Sequence, residues 1–327
     1  MNALPDSVQE VIEGMMQGVS LERLSTAREK LSGLYKQKIQ GLPELKTKDD
    51  HLAYLAFRLP ATYAALLDIF GRLKERLPDN SIQSLLDFGA GPGTALLAAQ
   101  TTLDSILTAT LIERDSFFIE MGKKLTASLA PFNVNWSQQE FKNLNIEGQF
   151  DLSVISYALC ELETSLVDSL LDYAFEKTKK ALVLVEPGTP RGYETIIYAR
   201  TRLLQKGGTI LAPCPHNKAC PIPEGDWCHF STRLPRSRLH RTIKGAELGY
   251  EDEKFSYIVI AKEPQEAQRV DRIIRRPFRG SGFMKFELCT HEGTLQQKTI
   301  SRKNKELYPL AKKADWGDVL KIPASEI

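Results

Sequence analysis

The segment SLLDFGAGPGTALL, from Ser84 to Leu97, runs from an apolar stretch through a glycine-rich turn into an alanine- and leucine-rich stretch. This order predicts a β-strand that ends near Asp87, then a tight turn, and then a helix. The turn contains Gly89, Gly91 and Gly93, which let the backbone approach a ligand without a Cβ atom in the way. The start of such a helix offers free N–H groups and a positive dipole end to an anionic group. We therefore predict the nucleotide-type site of an α/β unit here.

The spacing of the glycines narrows the ligand class. The dinucleotide fingerprint G-x-G-x-x-G needs a glycine where Thr94 stands, and the sequence contains no G-x-x-x-x-G-K-[ST] phosphate loop. The G-x-G-x-G spacing resembles motif I of class I S-adenosylmethionine (SAM) methyltransferases, in which the glycine turn holds the methionine end of the cofactor. A purely structural glycine turn between strand and helix is the alternative.

Strand and helix patterns alternate after the turn, which predicts a parallel sheet with helices on both faces. Glu113 follows the second strand and lies about twenty residues past the glycines, where a carboxylate accepts ribose hydroxyls. Ser156 ends a later strand and is expected to line the same crevice. The predicted cofactor-binding residues are Asp87, Gly89, Gly91, Gly93, Glu113 and Ser156.

Catalytic signals are weak at the tip of that later strand, which reads SYALCEL from Ser156 to Leu162. It contains neither N-P-P-[YF], which would hold an exocyclic amine, nor the Pro-Cys pair of a cytosine-C5 nucleophile. We do not interpret Cys160 as a nucleophile. The sequence identifies no catalytic residue.

The 327-residue chain is long for one domain and is expected to contain a main domain with additions. We predict a helical cap over residues 1–80, a SAM-binding domain over 81–265 with a cysteine-rich insertion at about 207–250, and a basic β-rich tail over 266–327. No apolar run was expected to span a membrane. Because no Lys or Arg precedes Arg23, neither a secretory nor a mitochondrial presequence is expected, and the protein is predicted to be a cytoplasmic monomer.

Positive charge is concentrated towards the end of a chain whose net charge is only +2. Residues 266–321 hold thirteen Lys or Arg against seven acids, a net charge of +6. Basic residues interleaved with aromatic ones suit phosphate contact and base stacking, although a solvated face has the same composition. The predicted RNA-binding residues are Arg233, Arg236, Arg275, Arg276 and Arg279.

Three cysteines, Cys214, Cys220 and Cys228, lie in a proline-rich loop with the spacing C-x5-C-x7-C. Prolines exclude regular structure there, so a cross-link is expected to order the loop. Cys289 is the candidate fourth ligand, because strand alternation sends Met284, Phe286 and Leu288 to the opposite face. A metal or an iron–sulfur cluster fits these four thiols. His216 and His229 keep a zinc site open, and three unrelated free cysteines are the remaining alternative.

Together these motifs resemble the methyltransferase-like family of small-ribosomal-subunit assembly factors of bacteria and mitochondria. The matching segments are D-F-G-A-G-P-G-T (Asp87–Thr94), V-E-P-G-T-P-R-G (Val185–Gly192), A-P-C-P-H (Ala212–His216), W-C-H-F (Trp227–Phe230), R-R-P (Arg275–Pro277) and Y-P-x-A-K-K-x-x-W-G-D (Tyr308–Asp318).

The resemblance implies a SAM-type pocket, a 4Fe–4S cluster on the four cysteines, and binding to 16S-type rRNA of the small ribosomal subunit. The expected function is then that of an rRNA methyltransferase in ribosome biogenesis. The alternative is a non-catalytic, cluster-stabilised RNA-binding assembly factor.

Overall fold

The computed structural model describes residues 2–36, 45, 47–78, 80–127, 133–237, 241, 243, 248–265 and 269–320. The chain forms two compact units. Unit 1 comprises Met1–Val183 and Thr232–Glu253, and unit 2 comprises Leu184–Ser231 and Lys254–Ile327. The division into residues 1–80, 81–265 and 266–327 stays a prediction.

Three helices form the predicted helical cap of unit 1: α1 (Asp6–Met15), α2 (Leu21–Lys36) and α3 (Lys48–Lys74). Thr47 caps α3, since its side chain accepts a hydrogen bond from the Asp50 amide and the Asp50 carboxylate accepts one from the Thr47 amide. The sequence places a helix start at Pro60, but α3 continues through it. The burial of neighbours such as Leu59 and Tyr63 offsets the lost backbone hydrogen bond.

Helix α3 is long and apolar enough to cross a membrane, with a mean hydropathy of 1.2 over its most apolar window. However, 72% of that window is buried inside the structure. Core helices of folded proteins show the same combination, so α3 is weak evidence for a membrane span.

The sheet of unit 1 is built from β1 (Ser84–Phe88), β2 (Thr108–Glu113), β3 (Asn133–Gln138), β4 (Phe150–Ser156) and the first part of β5 (Thr178–Pro187). Their order is β3-β2-β1-β4-β5, and β1 pairs in parallel with both β2 and β4. The accompanying helices are α4 (Thr94–Thr102), α5 (Ser116–Thr126) and α6 (Thr164–Lys177). The carboxyl ends of β1, β2 and β4 therefore meet at one edge, where ligands of such sheets bind.

Unit 2 begins with the second part of β5 and contains α7 (Pro190–Gln205), β6 (Thr209–Ala212), and parts of β7 (Phe230–Pro235) and β8 (Tyr250–Ala261). The strand order is β5-β8-β6, with β6 antiparallel to β8 and β7 also paired with β8. The predicted insertion at 207–250 thus includes two strands, and its irregular part is the loop 213–229. The mostly parallel sheet confirms the predicted Rossmann-like α/β fold.

The tail of unit 2 forms a second, smaller sheet, as predicted. Its elements are β9 (Asp271–Ile273), β10 (Phe278–Gly280), β11 (Phe283–Cys289), β12 (Leu295–Ser301), α8 (Leu307–Lys313) and β13 (Val319–Leu320). The order is β10-β11-β9-β13, with β12 paired to β11. Met284, Phe286 and Leu288 are buried in the core of this sheet, which confirms the predicted alternation along β11.

Candidate functional site

The glycine turn between β1 and α4 needs its glycines for conformation and for space. Gly89, Gly91 and Gly93 have φ angles of +71°, +52° and +83°, in the left-handed region that glycine tolerates best. A Cβ atom on Gly89 would lie 3.1 Å from the Phe141 ring, and one on Gly93 would lie 3.3 Å from Trp136. The turn is therefore closely packed by two aromatic residues that the sequence analysis did not select.

Glu113 holds this turn against the end of β2. Its Oε2 accepts a 2.7 Å hydrogen bond from the Gly91 amide, and its Oε1 accepts bonds of 2.8 and 2.9 Å from the Arg114 and Asp115 amides. Burial raises the pKa of Glu113, although these hydrogen bonds oppose the rise. Both carboxylate oxygens thus bind backbone amides of the two loops, and the contact with a ribose stays a prediction.

Asp87 carries a buried carboxyl group close to the glycine turn. It is fully buried, and neither of its side-chain oxygens has a hydrogen-bond partner within the described part of the chain. Burial, and then the charge of Glu113, raises the pKa of Asp87 to about 8. The Thr94 hydroxyl, at the first position of α4, is also buried without a partner there. Because buried polar groups are rarely left unsatisfied, these two side chains mark a place for a polar ligand.

The tip of β4 carries strain that the sequence did not reveal. Ser156 ends the strand, and Tyr157 follows with a φ angle of +55°, which is costly for a bulky residue. The Tyr157 hydroxyl donates to Glu253 at 3.2 Å, and the Arg58 guanidinium lies 5.0 Å from the centre of the tyrosine ring. Arg58 also pairs with Glu253 at 3.3 Å. No motif indicates these three residues, because the strands and helices that supply them are far apart in sequence.

The four selected cysteines line one cavity in unit 2. The cavity has a volume of about 40 Å³, more than one water molecule needs. Its lining includes Cys214, Cys220, Cys228 and Cys289 together with Tyr193, Arg200 and Arg272. All four cysteines are free thiols. Within the described residues, no three His, Cys, Asp or Glu side chains are grouped as they would be around a single metal ion.

The thiols of this cavity are removed from solvent. Burial is the main cause that raises the pKa of Cys214, Cys228 and Cys289, and neighbouring thiols add to it. Burial also raises the pKa of Tyr193, whose hydroxyl lies within hydrogen-bond distance of the Cys220 sulfur, at 3.3 Å.

The two histidines near the loop have different surroundings. His216 Nε2 lies 3.4 Å from the Cys289 sulfur. His229 stacks on Trp227 with ring centres 5.6 Å apart and makes an edge contact with Trp316 at 5.0 Å. His216 is therefore the better placed of the two to support the thiols.

Two of the predicted RNA-binding arginines lie in unit 1, and both are paired with carboxylates. Arg233 makes two hydrogen bonds to Asp252, at 2.7 and 3.0 Å, and covers the Tyr250 ring. Arg236 lies 3.3 Å from Glu251. Their charges are therefore partly neutralised.

The three predicted arginines of unit 2 differ from one another. Arg275 pairs with Asp226 at 2.6 Å. Arg279 is exposed and donates to the Lys312 carbonyl at 2.7 Å, which leaves its charge without a carboxylate partner in the described chain. Arg276 is exposed. Between them, Phe278 has an exposed fraction of 60% and was not selected from the sequence.

Comparison with known proteins gives the family. The family described as "Mitochondrial small ribosomal subunit Rsm22" matches residues 48–321. The chain belongs to this family. It is 29% identical to human "Ribosome assembly protein METTL17, mitochondrial" over 293 residues, which cover 83% of this chain and 62% of the relative. It is 26% identical to "Rsm22-cox11 tandem protein 2, mitochondrial" of Schizosaccharomyces pombe, covering 83% of this chain and 43% of that protein.

The chain thus spans less than two thirds of the length of these relatives. The matched relatives carry mitochondrial names, including "Ribosome assembly protein RSM22, mitochondrial" of Saccharomyces cerevisiae, which is 19% identical. The predicted cytoplasmic location is wrong on this finding. It rested on the charge of the first residues, whereas the family match begins only at residue 48.

The chain is also similar to solved structures of methyltransferases. Magnesium protoporphyrin IX methyltransferase from Synechocystis PCC 6803 is 12% identical with a TM-score of 0.41, over 79% of this chain and 100% of that one. Precorrin-6y C5,15-methyltransferase from Geobacter metallireducens is 15% identical with a TM-score of 0.39, over 68% and 93%.

Proposed function

We propose that this protein is a SAM-binding assembly factor of the small ribosomal subunit that carries a 4Fe–4S cluster and contacts 16S-type rRNA as a monomer. The observation that carries the proposal is the convergence of Cys289 with the three loop cysteines on one cavity, in a chain that keeps the glycine turn and belongs to a ribosomal-subunit family.

The SAM site is supported by the unsatisfied groups around the glycine turn. SAM is a cation that carries an ammonium and a sulfonium group, and the buried Asp87 carboxyl group has no hydrogen-bond partner within the described part of the chain. Asp87 and Thr94 would hold the polar end of the cofactor, with Gly89, Gly91 and Gly93 bringing the backbone close to it. SAM, when bound, supplies an activated methyl group.

The metal centre is supported by the donor set. Four cysteine thiols match the ligands of a 4Fe–4S cluster and also those of tetrahedral zinc. The family resemblance favours iron–sulfur, and zinc is the other outcome of the test. In either case Cys214, Cys220, Cys228 and Cys289 would be the ligands, and the centre would fasten the proline-rich loop to β11.

In unit 2, the exposed ring of Phe278 lies among positively charged residues, which supports an RNA-binding surface there. Phe278 lies directly opposite Lys285 across β10 and β11, and Arg276 and Arg279 flank it in sequence. An exposed ring with neighbouring cations suits an unpaired base and its phosphates. We therefore propose that this surface, formed by Arg276, Phe278, Arg279 and Lys285, contacts single-stranded rRNA.

Methylation of rRNA is the reaction that this fold would perform, and the strained Tyr157 at the tip of β4 favours a built acceptor site there. Its rival is an assembly factor that uses the same sites without catalysis. Both functions require the SAM pocket and the metal centre to be occupied for assembly. They differ in whether the rRNA becomes methylated.

Mass spectrometry of small-subunit rRNA separates the two functions. Cells that lack the protein would be complemented with the wild type, Gly91→Val, or the control Gly71→Ala, whose new Cβ meets nothing within 4 Å. A methyl group that is absent from the deletion and from Gly91→Val, and restored by the other two, establishes an rRNA methyltransferase. Fully modified rRNA in the deletion, with an assembly defect, establishes the non-catalytic factor. Normal assembly and modification in the deletion contradict both.

A further inference from the structure

Arg200 is a buried cation in the wall of the cysteine cavity. It lies on α7, on the same face as Tyr193 and Ile196, and its exposed fraction is 3%. One terminal nitrogen donates to the carbonyl oxygens of His216 at 3.3 Å and Lys218 at 2.5 Å. Its Nε has no hydrogen-bond partner in the part of the chain that the structure describes. Within the described residues, no carboxylate is paired with it.

A guanidinium stays protonated inside a protein, so Arg200 keeps its positive charge when buried. An unpaired charge in such a place is strongly unfavourable unless an anion compensates it. Neutral carbonyl oxygens orient the group but cannot neutralise it. The four thiols line the same cavity as Arg200, and as metal ligands they would be thiolate anions.

The charge count of a metal–thiolate centre supplies that anion. Four thiolates around Zn²⁺, or around a cluster core of the same charge, carry a net charge of about −2. Arg272 adds a second buried guanidinium to the cavity wall, where it donates to the Pro213 carbonyl at 2.8 Å. Such a centre would supply the anionic charge that the Arg200 guanidinium requires.

We infer that Arg200 is the internal counter-ion of the anionic metal–thiolate centre and acts as a positioning residue through the ligand loop. The inference rests on the proposed function, because it requires a centre on these cysteines. It goes beyond the ligands themselves, since it assigns a separate residue that stabilises the anionic centre in an apolar cavity.

The test compares wild type, Arg200→Met and Arg200→Lys after anaerobic reconstitution, with Lys218→Met as matched control. Lys218 lies in the cysteine-containing loop 213–229, and its side chain also donates to a carbonyl, that of Glu292 at 2.8 Å, but it is exposed. The Met variant of Arg200 should lose metal to a chelator at least tenfold faster than wild type, whereas the Lys variant and the control should stay within about twofold. Equal rates for Arg200→Met and wild type overturn the inference.

The reduction potential distinguishes charge from mere structure. For an iron–sulfur centre that takes one electron from dithionite, the reduced state is more negative, so Arg200→Met should be harder to reduce. A tenfold change in the equilibrium corresponds to about 59 mV for one electron. Arg200→Lys should restore the wild-type value. A Lys variant as impaired as the Met variant shows that hydrogen bonding, not charge, matters, and overturns the inference.

Two further measurements distinguish a counter-ion from a structural contact and test the metal centre itself. In the metal-free chain Arg200→Met should unfold at a temperature no lower than that of wild type, because no anion is present to lose. A decrease equal to that of the loaded protein shows a structural clamp and overturns the inference. A wild type that takes up neither iron nor zinc contradicts the proposed metal centre itself and leaves Arg200 without the anion that the inference requires.

Discussion

The backbone amide of Gly91 and the carboxylate of Glu113 are joined by a 2.7 Å hydrogen bond. This bond connects the glycine turn after β1 with the end of β2, and the same carboxylate also binds two amides of its own loop. Glu113 is therefore a structural brace for the candidate cofactor loop before any ligand arrives.

Replacing Glu113 with Ala should loosen both loops. Three backbone amides would lose their acceptor, so we expect the free energy of unfolding to fall by about 3 kcal/mol and SAM affinity to fall with it. Glu120→Ala on α5 is the matched control, since Glu120 forms only an exposed pair with Lys124. Chemical denaturation and calorimetry measure the two effects. A variant as stable as the control would show that the brace is unimportant.

Asp87 should make the ligand-free protein less stable at high pH. Its folded-state pKa of about 8 lies above the usual 3.8. Between these values the folded chain holds a proton that the unfolded chain has released, so stability falls as pH rises. Asp87→Asn should flatten this dependence and increase the free energy of unfolding by at least about 1 kcal/mol at pH 8, which is roughly 1–2 °C in Tm for a chain of this length. It should also weaken SAM binding.

Asp151→Asn is the control for this pH profile. Burial acts to raise the pKa of Asp151, but hydrogen bonds from Gln83 and Ser84 and the charge of Lys180 lower it overall. Asp151 is then ionised in both states at pH 5 and at pH 8, so its replacement should lower Tm equally at the two values. An Asp87→Asn profile parallel to that of wild type would contradict the assignment of a buried neutral carboxyl group.

Features of the site that depend on neighbouring residues could be predicted from the sequence, whereas features that depend on contacts between distant residues could not. The glycine turn and the alternation along β11 are local patterns. The structure shows the predicted turn between strand and helix and the predicted burial of one face of β11. Trp136 was missed because the strand NVNWSQ has no apolar run. The carboxylate partners Asp252 and Asp226 were missed because charge counting does not show which cations are already paired.

Backbone strain and the continuation of a helix through a proline depend on tertiary contacts, which the local sequence does not show. A tyrosine at positive φ, such as Tyr157, is held by tertiary contacts with Arg58 and Glu253, and nothing in the neighbouring residues indicates it. Pro60 was expected to begin a helix, and burial along α3 overrides that local preference.

The arginines of unit 2 should dominate the salt dependence of RNA binding. Arg276→Ala together with Arg279→Ala should make the slope of log affinity against log salt shallower by about 1.4–1.8, because each phosphate contact contributes about 0.7–0.9. Arg233→Ala should change the slope less, since Asp252 already pairs with Arg233. Fluorescence anisotropy with a small-subunit rRNA fragment over a salt series measures this. An unchanged slope in the double variant would exclude these phosphate contacts.

Phe278 should contribute stacking without charge. Phe278→Ala is expected to lower affinity for single-stranded rRNA by about 1–3 kcal/mol and to leave the salt slope unchanged. Leu310→Ala removes another exposed apolar side chain of unit 2, with an exposed fraction of 57%, and should have little effect. Equal losses in the two variants would indicate general apolar contact instead of base stacking.

The metal content of anaerobically purified protein tests the central claim most directly. Iron, acid-labile sulfide and zinc would be measured per chain for wild type, Cys289→Ser and the control Cys160→Ser, whose thiol is not part of the cavity lining. We predict about four iron and four sulfide in wild type and in the control. Cys289→Ser should lose most of both. Stoichiometric zinc without iron in wild type would contradict the iron–sulfur assignment, and a full cluster in Cys289→Ser would contradict the four-cysteine centre.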